Sequence, residues 1–249
     1  MSGRSTLVVA VCILGLVMGL GVTGCGSKPK PVAPVEGEKP AVATAEKPVV
    51  ATMILQQGLN GYAGCEDVAT DGDRPEENLL ADRGERGLGL FGDSNGNWAF
   101  IRFSDIKIPE GKRIAKAELA FTIREKAERG ESRVALHRLK KKLDFSKLTF
   151  LCRDADKKEK WGDGTKDQMP QSGIDYEPKA ESDGEKREPN LLVFDVTTAV
   201  KDWVRDPAAN TGVVLRPYPD EAFGWLDSTQ QEQDARPKLI ISLEIISLE

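Results

Sequence analysis

The chain of 249 residues contains one histidine, His137. A single imidazole excludes a two-histidine zinc site, an HExxH metalloprotease helix and any histidine-rich metal cluster. No GxxxxGK[ST] loop occurs, and the sequence is read as holding no nucleotide-binding fingerprint. Aromatic residues are scarce at 6%, and all four tryptophans and all eight phenylalanines fall after residue 50. Basic charge is not in excess: 35 Lys and Arg against 40 Asp and Glu give a formal charge of −5. That sign is wrong for a general nucleic-acid binder, and its size is too small for an acidic tail protein.

The N-terminus carries an address. Residues 1–6 hold one charged side chain, Arg4, and residues 7–22 are an unbroken run of apolar residues and glycine. The run is short for a bilayer span of about 20 residues and fits the apolar region of a signal peptide. It ends in Val22-Thr23-Gly24-Cys25, which resembles the lipobox of bacterial lipoproteins. The resemblance implies cleavage before Cys25 and acylation of its sulfur, which holds a protein on a membrane without a helix. Gly26 and Ser27 contain no aspartate of the inner-membrane retention kind, which points to the outer membrane. Residues 26–50 follow with five prolines, four lysines, three glutamates and no aromatic residue, the composition of a solvated, extended, disordered spacer. The chain thus divides into a signal peptide at 1–24, an acylated cysteine and linker at 25–50, and a domain at 51–249.

Several segments of that domain alternate with period two. Ala99, Ile101 and Phe103 face one way and Trp98, Phe100 and Arg102 the other; Ala117, Leu119, Phe121 and Ile123 oppose Lys116, Glu118, Thr122 and Arg124. Residues 191–196, 212–215 and 237–243 repeat the theme, as strands with one buried side do. The turn at 93–97 reads as a hairpin between residues 88–91 and the Trp98 strand, and Pro109-Glu-Gly111 separates the next pair. One helix is expected, capped by Asp195 or Thr197, with Val200, Trp203 and Val204 on one face and a stop at Asp206-Pro207. Residues 153–190, nearly free of apolar side chains, read as a long surface loop. The expected class is an all-β, jelly-roll-like β-sandwich with one short helix.

The order of these pieces resembles the DNRLRE domain, a cell-surface domain related to carbohydrate-binding modules. The matching runs are Leu55-Gln-Gln-Gly-Leu-Asn-Gly-Tyr-Ala-Gly64, Ala99-Phe-Ile-Arg-Phe103, Ile114-Ala-Lys-Ala-Glu-Leu119, and Leu148-Thr-Phe-Leu-Cys-Arg-Asp154 with Trp161. Phe194-Asp-Val-Thr197, Ala199-Val-Lys-Asp-Trp203, Gly212-Val-Val-Leu215 and Arg236-Pro-Lys-Leu239 complete the series. The resemblance implies a jelly-roll sandwich, usually non-catalytic, with polysaccharide binding in some members, uronate polymers among the ligands.

Cys65 and Cys152 are the thiols left to the exported domain, and two thiols outside the cytoplasm suggest a disulfide worth about 4 kcal/mol by loop entropy. Trp98, Phe100 and Arg102 form an outward triplet on which a sugar ring could stack. Trp161 and Trp225 are further ligand candidates. Residues 112–142 hold eleven basic and four acidic residues, and Arg124, Lys126, Arg129, Arg133, His137, Arg138 and Lys140 to Lys142 could meet a polyanion with Arg pairing carboxylates. Asp71 with Asp73, Asp93 with Asn95 and Asn97, and Asp154 with Asp156 have the oxygen chemistry of structural calcium sites without the full loop pattern. No other cofactor is expected. Catalysis has little support, because a Ser-His-Asp set would have to use His137, beside Arg138 in a strand, and the sequence is read as having no nucleophile elbow. The expectation is a lipid-anchored, non-catalytic envelope protein that binds polysaccharide; the alternative is a structural lipoprotein that binds an envelope protein.

Overall fold

The computed structural model describes residues 51–81, 87–92, 96–126, 132–164, 169–219 and 221–246. The signal segment, Cys25 and the linker lie outside these residues, as do Asp93 and Asn95. All described residues belong to the unit Glu46–Glu249, which contains every residue of both hydrophobic cores.

The alternating segments are antiparallel strands of two sheets. The larger sheet has seven: β1 (Ala51–Leu55), β14 (Lys238–Ile245), β5 (Lys112–Lys126), β11 (Leu191–Asp195) and β10 (Glu185–Arg187), with β13 (Ala222–Leu226) also on β5 and β3 (Leu88–Phe91) beyond it. The smaller runs β2 (Cys65–Ala69), β4 (Ala99–Phe103), β12 (Val213–Pro217), β6 (Val134–Arg138) and β9 (Ser182–Asp183). From β1 to β6 the chain changes sheet at every strand, the habit of a jelly roll. β5 is long enough to pair with β14 over its first part and with β13 over its last.

Side-chain parity fixes the core. Ala99, Ile101 and Phe103 of β4 meet Ala117, Leu119 and Phe121 of β5 between the sheets, joined by Leu136, Leu215, Phe194 and Ile241. One helix, α1 (Thr197–Arg205), closes an end of this core with Ala199, Val200 and Trp203. Asp195 accepts a hydrogen bond from the Thr197 N–H at 2.9 Å and Glu181 from the Ala199 N–H at 3.0 Å, so the first helical amides are satisfied by carboxylates as the helix dipole favours.

Three expectations are corrected. No hairpin joins β3 to β4: β3 pairs with β13 and β4 with β2 and β12, so the chain passes between sheets here, and among the described residues only Phe91 and Asn97 exchange bonds across the connection. Residues 153–190 are not a surface loop. They contain β7 (Cys152–Asp154) paired with β8 (Glu159–Lys160), then β9 and β10, and they bury Trp161 and Tyr176. Cys65 and Cys152 form no disulfide. Cys65 points into the inter-sheet core, whereas Cys152 lies on the excursion that crosses the opposite face of the smaller sheet, so the sheet itself separates the thiols.

Candidate functional site

The triplet on β4 points away from the main core, as parity requires, but does not reach solvent. Trp98, Phe100 and Arg102 are 5%, 0% and 7% exposed. A second core covers them, made of Leu139, Leu143, Phe145, Leu148, Trp161 and Tyr176 from the excursion with Val68 and Val214 from the sheet. Trp161 stacks on Phe100 with centroids 5.6 Å apart and planes 11° from parallel, and Tyr176 meets Trp98 edge-on at 5.7 Å. Asp175 holds the excursion in shape, accepting from the Gly162 and Gln171 amides at 2.6 and 2.8 Å and from Arg153 Nη1 at 3.1 Å. The expectation of an exposed stacking surface on this face is therefore overturned: the aromatic side chains serve as a lining between sheet and cover.

His137 lies under the same cover. Its Nδ1 is 2.9 Å from the Glu177 carbonyl, and its ring meets Tyr176 at 4.9 Å. Burial, with the nearby Arg216 cation adding to it, holds its pKa below the ordinary 6.5 against the Glu177 bond that raises it. Arg124 and Trp225 lie together at the far end of β5, away from α1. Trp225 is half-buried, with its indole over Gly89, where a Cβ would come within 2.8 Å of the ring, and Phe91 meets it at 69°. Two rings so inclined do not make a planar platform. The open face of the larger sheet has no other aromatic side chain among the described residues. It is occupied by pairs such as Lys116 with Glu118, Glu118 with Arg187 and Arg113 with Glu244.

Two short spacings were missed in the sequence. Gly87-Leu-Gly-Leu-Phe-Gly92 spells GxGxxG, but Leu88–Phe91 is β3, antiparallel to β13, and no helix follows it, so the phosphate cradle of a βα turn cannot form. Gly92-Asp-Ser-Asn-Gly96 spells GxSxG, but it leads from strand to strand rather than into a helix, and Ser94 is outside the described residues. The proposed calcium carboxylates act locally: Asp71 accepts from the Asp73 amide and Asp154 from the Lys157 amide, both within turns. Among the described residues no group of three or more metal-ligating side chains occurs.

Clefts occur instead around α1. The first, about 370 Å³, lies between the segment after β4 and the connection from α1 to β12, with Trp203 in its wall and Glu66, Asp105, Lys107, Lys142 and Asn210 around it. Arg102 forms its inner end, fixed by Glu66 at 2.8 Å and by the Leu143 carbonyl at 3.0 Å. The second, about 650 Å³, has Ile108, Ile114 and Val204 below a rim containing Lys112, Arg113, Lys201 and Arg205. The third, about 720 Å³, adds Arg138, Lys140 and Lys179 beside Glu177 and Glu181. Together they are lined by ten basic and five acidic residues, in a chain whose formal charge is −5.

Not all of that charge is free. Arg138 is bound by Glu181 at 2.7 Å and Asp202 at 2.8 Å; though burial opposes it, these carboxylates hold the guanidinium pKa above its usual value. Arg113 is paired with Glu244 and Arg205 with Asp202. Lys107, Lys112, Lys142 and Lys201 make no salt bridge with any described residue. Of the residues expected from sequence to meet a ligand, Arg102, Arg138, Lys140 and Lys142 line these clefts, and Trp98, Phe100, Arg124, His137, Trp161 and Trp225 do not. Lys107 and Lys201 were passed over: the first sits on a connection, and the second lies on the solvent side of the helix, where a charged residue is unremarkable. No protein family matches this chain, and no curated protein is significantly similar to it.

Proposed function

We propose that the chain is a membrane-anchored envelope protein whose sandwich binds an anionic polysaccharide, without cleaving it, through the clefts around α1. The observation that carries this reading is the excess of cations at one end of an acidic chain, where four lysines make no salt bridge with any described residue and hydrogen-bonding groups of both kinds stand beside a tryptophan. Single exposed ion pairs contribute about 0 to 1 kcal/mol each, so useful affinity needs several contacts at once, and a repeating polyanion supplies them. Glu66 and Asp105 add acceptors for sugar hydroxyls in the first cleft. The motif order that resembles the DNRLRE domain supports the same ligand class, and the signal segment with Cys25 supports the location.

The test is affinity electrophoresis of Glu46–Glu249 through gels containing a polyuronate or a neutral dextran. Retardation by the polyuronate, lost in Lys107→Glu with Lys142→Glu and weakened by added salt, is expected. Equal mobility in both gels would defeat the reading, as would retention that the double variant leaves intact.

A further inference from the structure

The first strand leaves the larger sheet unfinished. Among the described residues, β1 takes its sheet pairing from β14 alone, and no other backbone hydrogen bond reaches Ala51–Leu55. The remaining edges are guarded. β2 includes Glu66 and Asp67, and Asp67 accepts from the Thr229 amide; β9 ends in Asp183; β10 reads Glu-Lys-Arg. β3 is buried from Leu88 to Leu90 and is closed at its end by the bonds between Phe91 and Asn97. β1 reads Ala-Thr-Met-Ile-Leu, with no charge, proline or register shift, and Ile54 on it is 43% exposed. An uncharged, regular edge of this kind is a template for another strand.

We infer that β1 pairs antiparallel with β1 of a second copy of this chain, about a two-fold axis through Met53. The order of side chains is complementary to itself: Ala51 falls opposite Leu55 and Thr52 opposite Ile54, small against large at each level. Ala51, Met53 and Leu55, already packed against the main core, extend it across the seam, and Thr52 covers the partner's Ile54 on the open face. No like charges meet. The contact is isologous and closed, so it gives a dimer rather than a fibre. A five-residue seam is small beside the roughly 800 Å² per partner of a standard interface, so it is filled only where copies are concentrated. Anchoring through Cys25 would concentrate them, and that part rests on the reading above; the pairing itself does not.

Directly opposite residues of antiparallel strands have Cα atoms about 4.5 to 5.5 Å apart, within disulfide range. In Glu46–Glu249 carrying Cys152→Ser, held at about millimolar concentration under mild oxidation, Met53→Cys links into a covalent dimer. Ile54→Cys, which faces Thr52 of the partner, stays monomeric. Thr52→Cys combined with Ile54→Cys also links, at positions that do not disturb the core. No dimer from either linking variant, or linking by Ile54→Cys as fast as by Met53→Cys, would overturn the inference. Polyuronate retardation of the same variants is measured alongside, so failure of the pairing and failure of the binding reading are separate results.

Discussion

Truncating Trp161 to alanine separates two accounts of the excursion that crosses the smaller sheet. The indole is 1% exposed, lies flat on Phe100 and donates its Nε1–H to the Thr149 carbonyl at 3.1 Å. Removing a buried aromatic side chain of this size costs about 3 to 5 kcal/mol in transfer and cavity terms. The orphaned carbonyl adds about 1 to 3 kcal/mol unless water enters the space left behind. These contributions overlap, because the cavity that strands the carbonyl is also the one that admits water, so a loss of about 4 kcal/mol is expected. Against the roughly 5 to 15 kcal/mol of an ordinary domain, that is a large share.

Urea unfolding of Glu46–Glu249 and the variant, followed by circular dichroism, reads the loss as a shift of midpoint at constant slope. Trp161→Phe keeps an aromatic ring on Phe100 but gives up the hydrogen bond and part of the indole volume, for about 2 kcal/mol, an intermediate loss. Limited proteolysis should cut the alanine variant first within residues 139–176, where the second core has lost its largest side chain. If Trp161 were instead a surface group that stacks on sugar, truncation would cost no more than about 0.5 kcal/mol and would abolish glycan retention. A midpoint shift worth less than about 1 kcal/mol would refute the assignment of this face as core.

Two further outcomes follow. Under native conditions one thiol equivalent, Cys152, reacts with a thiol reagent and Cys65 reacts only after unfolding, while reductant leaves the melting temperature unchanged; an intact mass two hydrogens short of the dithiol would contradict the separation of the two cysteines. His137, depressed by burial, takes up its proton more readily in the unfolded chain, so stability is complete above pH 6.5 and declines as pH falls below it, by no more than about 1.4 kcal/mol per pH unit. Carboxylates held low by cations, such as Asp202 beside Arg138, lose their contribution only at lower pH, so a flat profile between pH 6.5 and 5 that His137→Leu leaves unaltered would count against this account.

Parity was the legible part of the fold. The alternation along residues 99–103 and 117–123 assigns each side chain to a face, and the structure places them so. What covers the second face is not written in parity. Trp98 and Phe100 hinted at it, since a strand that is bulky and apolar on both sides is commonly buried on both. The cover itself is hard to see in residues 153–190, because a layer one side chain thick needs only Trp161 and Tyr176, spaced by polar turns and held by Asp175. Turn chemistry misled at 93–97 for a related reason: it specifies a reversal, not a partner, and β3 finds β13 far along the chain. The candidate site was hidden because its lysines come from separate elements, Lys107 and Lys142 from connections, Lys112 from β5 and Lys201 from α1, and a charge count over residues 112–142 cannot tell Arg138, held by two carboxylates, from Lys142, which pairs with no described carboxylate.

With one face sealed by the excursion and the other locked into ion pairs, the end around α1 is where a partner can be engaged without unpacking a core. Its charge acts against an acidic background, and distance decides which prevails. At physiological ionic strength the screening length is about 8 Å, shorter than the roughly 45 Å that β5 spans from Lys112 to Lys126. On the reading proposed above, a polyanion at the clefts would feel Lys107, Lys142 and Lys201 and little of the charge at the far end of β5.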